Sequence, residues 1–193
     1  MGLPKEGRCT SLVDYSQPSQ SNWRNQLNRL RALNAPLLAV GAGENRKAPA
    51  IPTSGVLFTG WTTGAHSIEE IQAAVLSVIG AGMRTGNGLI TFDVDGTSAV
   101  AWLLEHGCDP AKTDTWQIHR DTDSDRLKAV FEVSDEQQRQ IGAVSTKIPT
   151  QPPIGDKKGE AVEIFNKSSS QVVVIGEHPV SYTHLTLPTS DLV

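Results

Sequence analysis

The stretch Leu89-Ile90-Thr91-Phe92-Asp93-Val94-Asp95-Gly96 decides how the rest of the chain is read. Side chains on a strand alternate between its two faces. Ile90, Phe92 and Val94 therefore share one face, which is apolar and reads as buried. Asp93 and Asp95 share the opposite face, side by side. Two carboxylates held that close repel one another unless a cation compensates. A divalent metal is the simplest compensator, since hard oxygen ligands suit Mg²⁺ or Mn²⁺. The competing reading is an ordinary strand exit into an Asp-Gly turn, with both acids solvated.

Working upstream, Gly82-Met83-Arg84-Thr85-Gly86 reads as a turn-rich link into this strand. Arg84 there is a cation beside flexible backbone, an arrangement suited to nucleotide phosphates; a plain surface arginine is the alternative. Ser67 and Glu70 form an S-x-x-E capping box. Ile68, Ile71, Val75, Val78 and Ile79 predict a helix after it, ended by Gly80 and Gly82. Trp23, Leu27 and Leu30 recur at i, i+4 and i+7 and mark an earlier helix ending near Asn34 and Pro36. Residues 36–40 read as a short buried strand. The Gly/Pro-rich segment 41–60, carrying Lys47 and Pro49, reads as a loop, and residues 1–19 as a loose lead-in.

Downstream, Thr97 or Ser98 is placed to cap a helix containing Val100, Leu103 and Leu104. Residues 116–119 and 127–133 predict two strands joined by a polar loop. Ser134-Asp135-Glu136-Gln137 opens a short helix, and 146–160 reads as a Pro/Gly/Lys loop. Residues 161–166 and 172–175 read as a hairpin around Lys167-Ser168-Ser169-Ser170. Helices and strands that first alternate, then strands in close succession, predict an α/β (α+β) domain with a mixed sheet over residues 20–180.

Composition sets the class. The chain has 193 residues, 38% hydrophobic and 20% charged, within the range of an ordinary globular domain. A net charge of -4 argues against a surface coated in basic residues, but leaves room for a local basic groove. Two cysteines, Cys9 and Cys108, lie in no ligand-like spacing, which points away from a disulfide framework or zinc site and towards the cytoplasm. No apolar run has the length of a membrane span.

Two further segments carry chemistry. In Val172-Val173-Val174-Ile175-Gly176-Glu177-His178, a β-branched run ends in a small residue, one spacer and a histidine able to donate to a phosphate; a structural strand-end histidine is the bland reading. In His119 to Lys128, Asp121, Asp123 and Asp125 read as a solvated loop. Arg126 and Lys128 share one parity and can line an anion site, with Arg suited to bidentate phosphate contact.

Taken in order, these segments resemble the bifunctional primase/polymerase (Prim-Pol) family of the archaeo-eukaryotic primase superfamily. The resemblance runs from about residue 36 to 180. It comprises Lys47-x-Pro49, Trp61, the helix beginning at Ser67, Gly82 to Gly86, and Phe92-Asp93-Val94-Asp95-Gly96. It continues with Trp116-x-Ile118-x-Arg120, Arg126-x-Lys128, Phe131, Glu163 and Gly176-Glu177-His178-Pro179. Three motifs mark the family's site: hydrophobic-Asp-hydrophobic-Asp, small-x-His, and a later hydrophobic residue followed by Asp or Glu. Asp93 and Asp95 match the first, and Gly176 with His178 the second. The resemblance implies a mixed-sheet core with RRM-like strands flanked by helices. It implies catalytic Asp93, Asp95 and His178, two Mg²⁺ or Mn²⁺ ions on Asp93 and Asp95, and phosphate contacts from His178, Arg84, Arg126 and Lys128. Its partners would be a single-stranded DNA template, nucleoside triphosphates and a fused or associated helicase, and its setting the replication of a plasmid, phage or mobile element.

The third motif is not found after His178. Residues from about 181 onward resemble translated sequencing-adapter read-through and are expected to be non-native, so Asp191 is not promoted to the missing ligand. A chain lacking that carboxylate is expected to be poorly active. Two rivals stand beside this reading. A haloacid-dehalogenase-type phosphohydrolase would use Asp93 as nucleophile and Asp95 as acid/base, with Gly155-Asp156 as a partial late match. A non-catalytic nucleotide- or nucleic-acid-binding remnant would keep only the cations.

Overall fold

The computed structural model of the chain describes residues 22–44, 46–110, 112–120, 123–155, 158–177 and 182–186. It is an α+β fold built on one ten-stranded sheet with four short α-helices among the described residues. The strands are β1 (Leu37–Ala42), β2 (Ala48–Pro49), β3 (Gly80–Arg84), β4 (Leu89–Asp95), β5 (Trp116–Arg120), β6 (Asp123–Glu132), β7 (Val144–Gln151), β8 (Glu160–Asn166), β9 (Gln171–Glu177) and β10 (Tyr182–Thr186). The helices are α1 (Asn22–Gln26), α2 (Ile68–Gln72), α3 (Thr97–Glu105) and α4 (Asp135–Ile141), and a 3-10 turn, Leu27–Arg31, follows α1.

The order across the sheet is β2-β1-β3-β9-β10-β5-β6-β4-β8-β7, and every pairing is antiparallel. The expected mixed sheet is therefore corrected. The physical reason is that α3 carries the chain from β4 to β5, and β6 folds back between them. β4 and β5 run the same way but never touch as a parallel pair. The order β8-β4-β6-β5 is that of a split β-α-β unit, here with β7 added on the outside.

Alternation on β4 divides the packing as expected. Phe92 and Val94 join Ala99, Leu103, Leu127, Ala129 and Val162 in a core beneath α3. Leu89 and Thr91, on the acid-bearing face, are buried, and Leu89 joins a larger core with Trp116, Ile118, Val130, Met83, Val172, Val174 and Ile175. That core also takes Trp23, Leu27 and Leu30 from the N-terminal turns, so the predicted i, i+4, i+7 stripe faces inward. The two halves of the sheet share it, and the site lies beside it.

Other elements depart from expectation. The helix after the Ser67/Glu70 capping box forms, with both reciprocal hydrogen bonds, but stops at Gln72. The carbonyls of Ile71 and Gln72 accept from the Arg24 guanidinium at 3.0 and 2.8 Å, which ends the helix as a further turn would continue it. Gly82 to Gly86 is not a turn-rich link: Gly80–Arg84 is a fully buried strand. Its glycines mark close backbone approach. A Cβ on Gly82 would lie 2.8 Å from Gln171 Oε1 and 2.9 Å from the Val172 carbonyl oxygen. Much of 146–160 is strand β7, with Pro149 tolerated at the sheet edge. Residues 161–166 and 172–175 are strands but not a hairpin. Both flanks of β8 are taken by β4 and β7, and β9 crosses to pair with β3 and β10. No helix of the described residues is long and apolar enough to cross a membrane.

Candidate functional site

The site grows out of β4 and its two neighbours. Asp93 stands directly opposite Lys128 on β6 and Glu163 on β8, and Asp95 directly opposite Arg126 on β6. Glu163 in turn faces Lys147 on β7. Equal parity puts these side chains on one face, where directly opposite partners have Cβ atoms about 4.5–5.5 Å apart. Read across four strands, the row is Lys147, Glu163, Asp93, Lys128, two acids flanked by two cations. Lys128 Nζ makes an ion pair with Asp93 Oδ2, both side chains mostly buried. Arg126 pairs with Asp95 at 3.0 Å and with Asp123 at 3.1 Å. Lys147 pairs with Glu163 at 2.6 Å, and that hydrogen bond holds its ammonium pKa above the usual lysine value.

Beside the acids is a cavity of about 190 Å³. Asp93, Lys128 and Arg126 line it together with Lys47, Arg120 and Gln171, over an apolar floor that includes Ile118 and Phe165. Arg120 shares the parity of Ile118 on β5, which pairs with Lys128. Lys47 arrives from the other half of the sheet, just before β2. Its carbonyl oxygen accepts from Gln171 Nε2 at 2.8 Å, which ties it to β9. Although Lys47 is exposed as a residue, partial burial lowers its ammonium pKa, and the positive charges of Arg120 and Lys128 lower it further.

The C-terminal end of β4, just past Asp95, is held by backbone chemistry and a distant side chain. Gly96, at φ 117°, is the N-cap of α3, a conformation that favours glycine. The expected Thr97 or Ser98 cap is replaced by a side chain from afar. The Glu160 carboxylate accepts from the Ser98 N–H at 2.7 Å, and the Thr97 hydroxyl donates to Asp125 at 2.8 Å. Hydrogen bonds from Ser98 hold the Glu160 carboxyl below the usual carboxylate range.

The sequence-predicted residues divide. Asp93, Asp95, Arg126 and Lys128 come together, with Asp93, Arg126 and Lys128 on the cavity. Arg84 does not join them. Its buried guanidinium donates to the carbonyl oxygens of Trp61 and Gly64 at 2.9 and 2.8 Å, so it fastens the 59–66 loop to β3 rather than facing an anion. His178 lies outside the described residues, as do the lead-in 1–19 and Asp156; of the segment after 181, the backbone of Tyr182–Thr186 pairs between β9 and β5. Glu163, Lys47 and Arg120 were visible only as matched positions without a role. Cross-strand register and the meeting of the two sheet halves bring them to the site.

Carboxylate oxygens on one face suit a hard divalent cation. Asp93, Asp95 and Glu163 are the donors that would hold one, and the donor chemistry fits. Among the described residues, however, no three His, Cys, Asp or Glu side chains are gathered into a ready-made metal site. Each carboxylate is turned to its own cation, so metal binding here requires Lys128, Arg126 and Lys147 to let go. No protein-family model and no curated protein matches the chain.

Proposed function

We propose that this chain is a metal-dependent nucleotidyl transferase acting on a primed or single-stranded DNA template, as the likeness to the Prim-Pol family implies. One observation carries the reading: of two same-face acids on a central strand, Asp93 opens onto a cavity whose other charged lining residues, Lys47, Arg120, Arg126 and Lys128, are all cationic. That pairing of charges matches the two ends of a metal–triphosphate. Asp93 and Asp95, with Glu163 across β8, would hold the cation. Bound there, Mg²⁺ or Mn²⁺ would neutralise charge at the reacting phosphate and favour ionisation of the attacking hydroxyl. Lys128 and Arg126, released from the acids, then face the phosphates, with the guanidinium giving two parallel donors. Water is kept from the floor by Ile118 and Phe165. The expectation of a poorly active chain rested on a missing third carboxylate. Glu163, opposite Asp93 on β8, is a further carboxylate on the same face, which supports assaying the chain as it is.

The test is extension of a primed template by the 193-residue chain with Mg²⁺ or Mn²⁺. The double variant Asp93→Ala, Asp95→Ala is expected to lose extension altogether. Unchanged extension by that variant discards the assignment.

A second reading is favoured by a specific observation, the ion pairs that already neutralise the acids. On it, the chain binds nucleotide or single-stranded nucleic acid through its cations without chemistry. Salt-sensitive binding without incorporation supports it. Nothing comparable favours the phosphohydrolase: Asp93 is held by Lys128, and the Thr97 hydroxyl is turned to Asp125.

A further inference from the structure

The cations of the cavity are not equivalent. Arg126 and Lys128 are each paired with an acid of β4. Lys47 and Arg120 make no ion pair among the described residues, yet both line the same cavity. Arg120 is close enough to disfavour the charge on Lys47. The charged groups around Lys47 are Arg120 on β5, Lys128 on β6, Asp93 on β4 and Lys158 in the segment before β8. Three of these four are positive. The acid on the walls, Asp93, is already paired with Lys128, the floor is apolar, and Gln171 is engaged with the Lys47 backbone. Two like charges without an ion-pair partner among the described residues, facing one concave, partly desolvated space, are stabilised when an anion fills it.

We propose that Lys47 and Arg120 form a metal-independent cradle for the terminal phosphate of a polyphosphate chain in this cavity. The ligand class follows from shape and charge. The cavity is small and concave, which fits a compact, multiply charged terminus better than a nucleic-acid backbone running through. A terminal phosphate carries more charge than a phosphodiester, and Arg120 can take two of its oxygens at once. The remaining phosphates then point along the cavity towards Lys128, Arg126 and the acids. In this arrangement a triphosphate is preferred over shorter chains, because its further phosphates can also meet the cations Lys128 and Arg126. The nucleoside on that triphosphate rests on the nucleotidyl-transfer reading; the phosphate cradle does not.

The experiment is calorimetric titration of the full chain with inorganic triphosphate, pyrophosphate and orthophosphate, in buffer freed of metal on a chelating resin. Triphosphate is expected to bind one to one and more tightly than the shorter ions. Lys47→Met and Arg120→Met are each expected to weaken triphosphate binding about tenfold to a hundredfold, the range for loss of a charged hydrogen bond. Lys47→Arg and Arg120→Lys should keep most of the affinity, with thermal unfolding confirming that every variant is folded. A competing arm adds a short single-stranded oligodeoxynucleotide, which is expected not to displace triphosphate. The proposal is overturned by absence of metal-free binding to the folded chain at low salt, by binding that survives both Met substitutions, or by ready displacement by the oligonucleotide. Because no turnover is needed, a chain that binds triphosphate through Lys47 and Arg120 but extends no primer keeps this inference and loses the polymerase reading.

Discussion

Replacing Lys128 by Met tests whether the acids of β4 are built for a metal. The Lys128 and Asp93 side chains are 18% and 26% exposed, between a surface pair and a buried one. Exposed pairs contribute up to about 1 kcal/mol, and breaking a buried pair costs about 3–5 kcal/mol. An intermediate loss of about 2 kcal/mol follows. Asp93 also faces Glu163 directly, and without Lys128 their repulsion is less well balanced, adding about 1 kcal/mol. A domain of this size loses about 2–4 °C of melting midpoint per kcal/mol, so Lys128→Met should melt roughly 6–12 °C lower in metal-free buffer. A divalent cation that takes over the lost charge restores stability. At a hundred times its dissociation constant it adds about 2.7 kcal/mol, nearly the whole deficit. In the parent chain the same metal must first displace Lys128, so its gain is smaller. The assay is thermal unfolding of both proteins with and without saturating Mn²⁺. If Mn²⁺ fails to raise the midpoint of Lys128→Met more than that of the parent, the acids are not a latent metal site. If Lys128→Met melts with the parent in metal-free buffer, the energetic account of the ion pair is wrong.

Two further outcomes follow from the surroundings of the site. Arg84→Met removes two charge-assisted hydrogen bonds to part-buried loop carbonyls and should cost about 2–4 kcal/mol in urea unfolding, with earlier proteolytic cleavage in 59–66; cleavage and stability equal to the parent would show that the loop is held otherwise. Glu160→Gln tests the cap of α3 through pH. The folded Glu160 carboxyl lies below the ordinary value of 4.5, so its contribution is fully present above pH 4.5 and is lost as pH falls through the folded value. The parent should be the more stable at neutral pH and the difference should close in acid; a difference independent of pH contradicts the assignment.

The core strand was readable in the sequence because its evidence is local. Seven residues of alternation on β4 suffice to separate Phe92 and Val94 from Asp93 and Asp95, and the Ser67/Glu70 and Ser134/Gln137 boxes each fix a helix start within one turn. Partners across the sheet were not readable. Glu163 has no local feature that separates it from a surface glutamate; only β8 pairing with β4 in this register sets it against Asp93. Glycine misled in a definite way. Gly80 and Gly82 read as helix-stopping turn residues, whereas they are small because β3 packs its backbone against β9. Arg84 misled for the same reason: with Gly82 taken as a turn, its side chain was free to face a ligand, and with Gly80–Arg84 as a buried strand it is not.

The chain's net charge of -4 and its cationic cavity are compatible because the fold sorts charge by strand rather than by segment. In the sequence, Arg126 and Lys128 follow Asp121, Asp123 and Asp125; the acids read as a solvated loop and the two cations as one side of an anion site. Strand parity separates them: Asp123 remains beside Arg126 at the outer end, while Lys128 lies inward over Asp93. Arg120 is added by the next strand, and Lys47 by a different half of the sheet. A local field of this kind exists only when both halves are docked, since Lys47 and Gln171 come from one and the acids with Arg120, Arg126 and Lys128 from the other. An anion that bridges Lys47 to Arg120 therefore ties the halves together, and its binding free energy appears as stability of their shared core around Ile118, Val172 and Val174. The arrangement makes recognition of the phosphate and closure of the fold a single linked equilibrium, which a site carried on one strand would not.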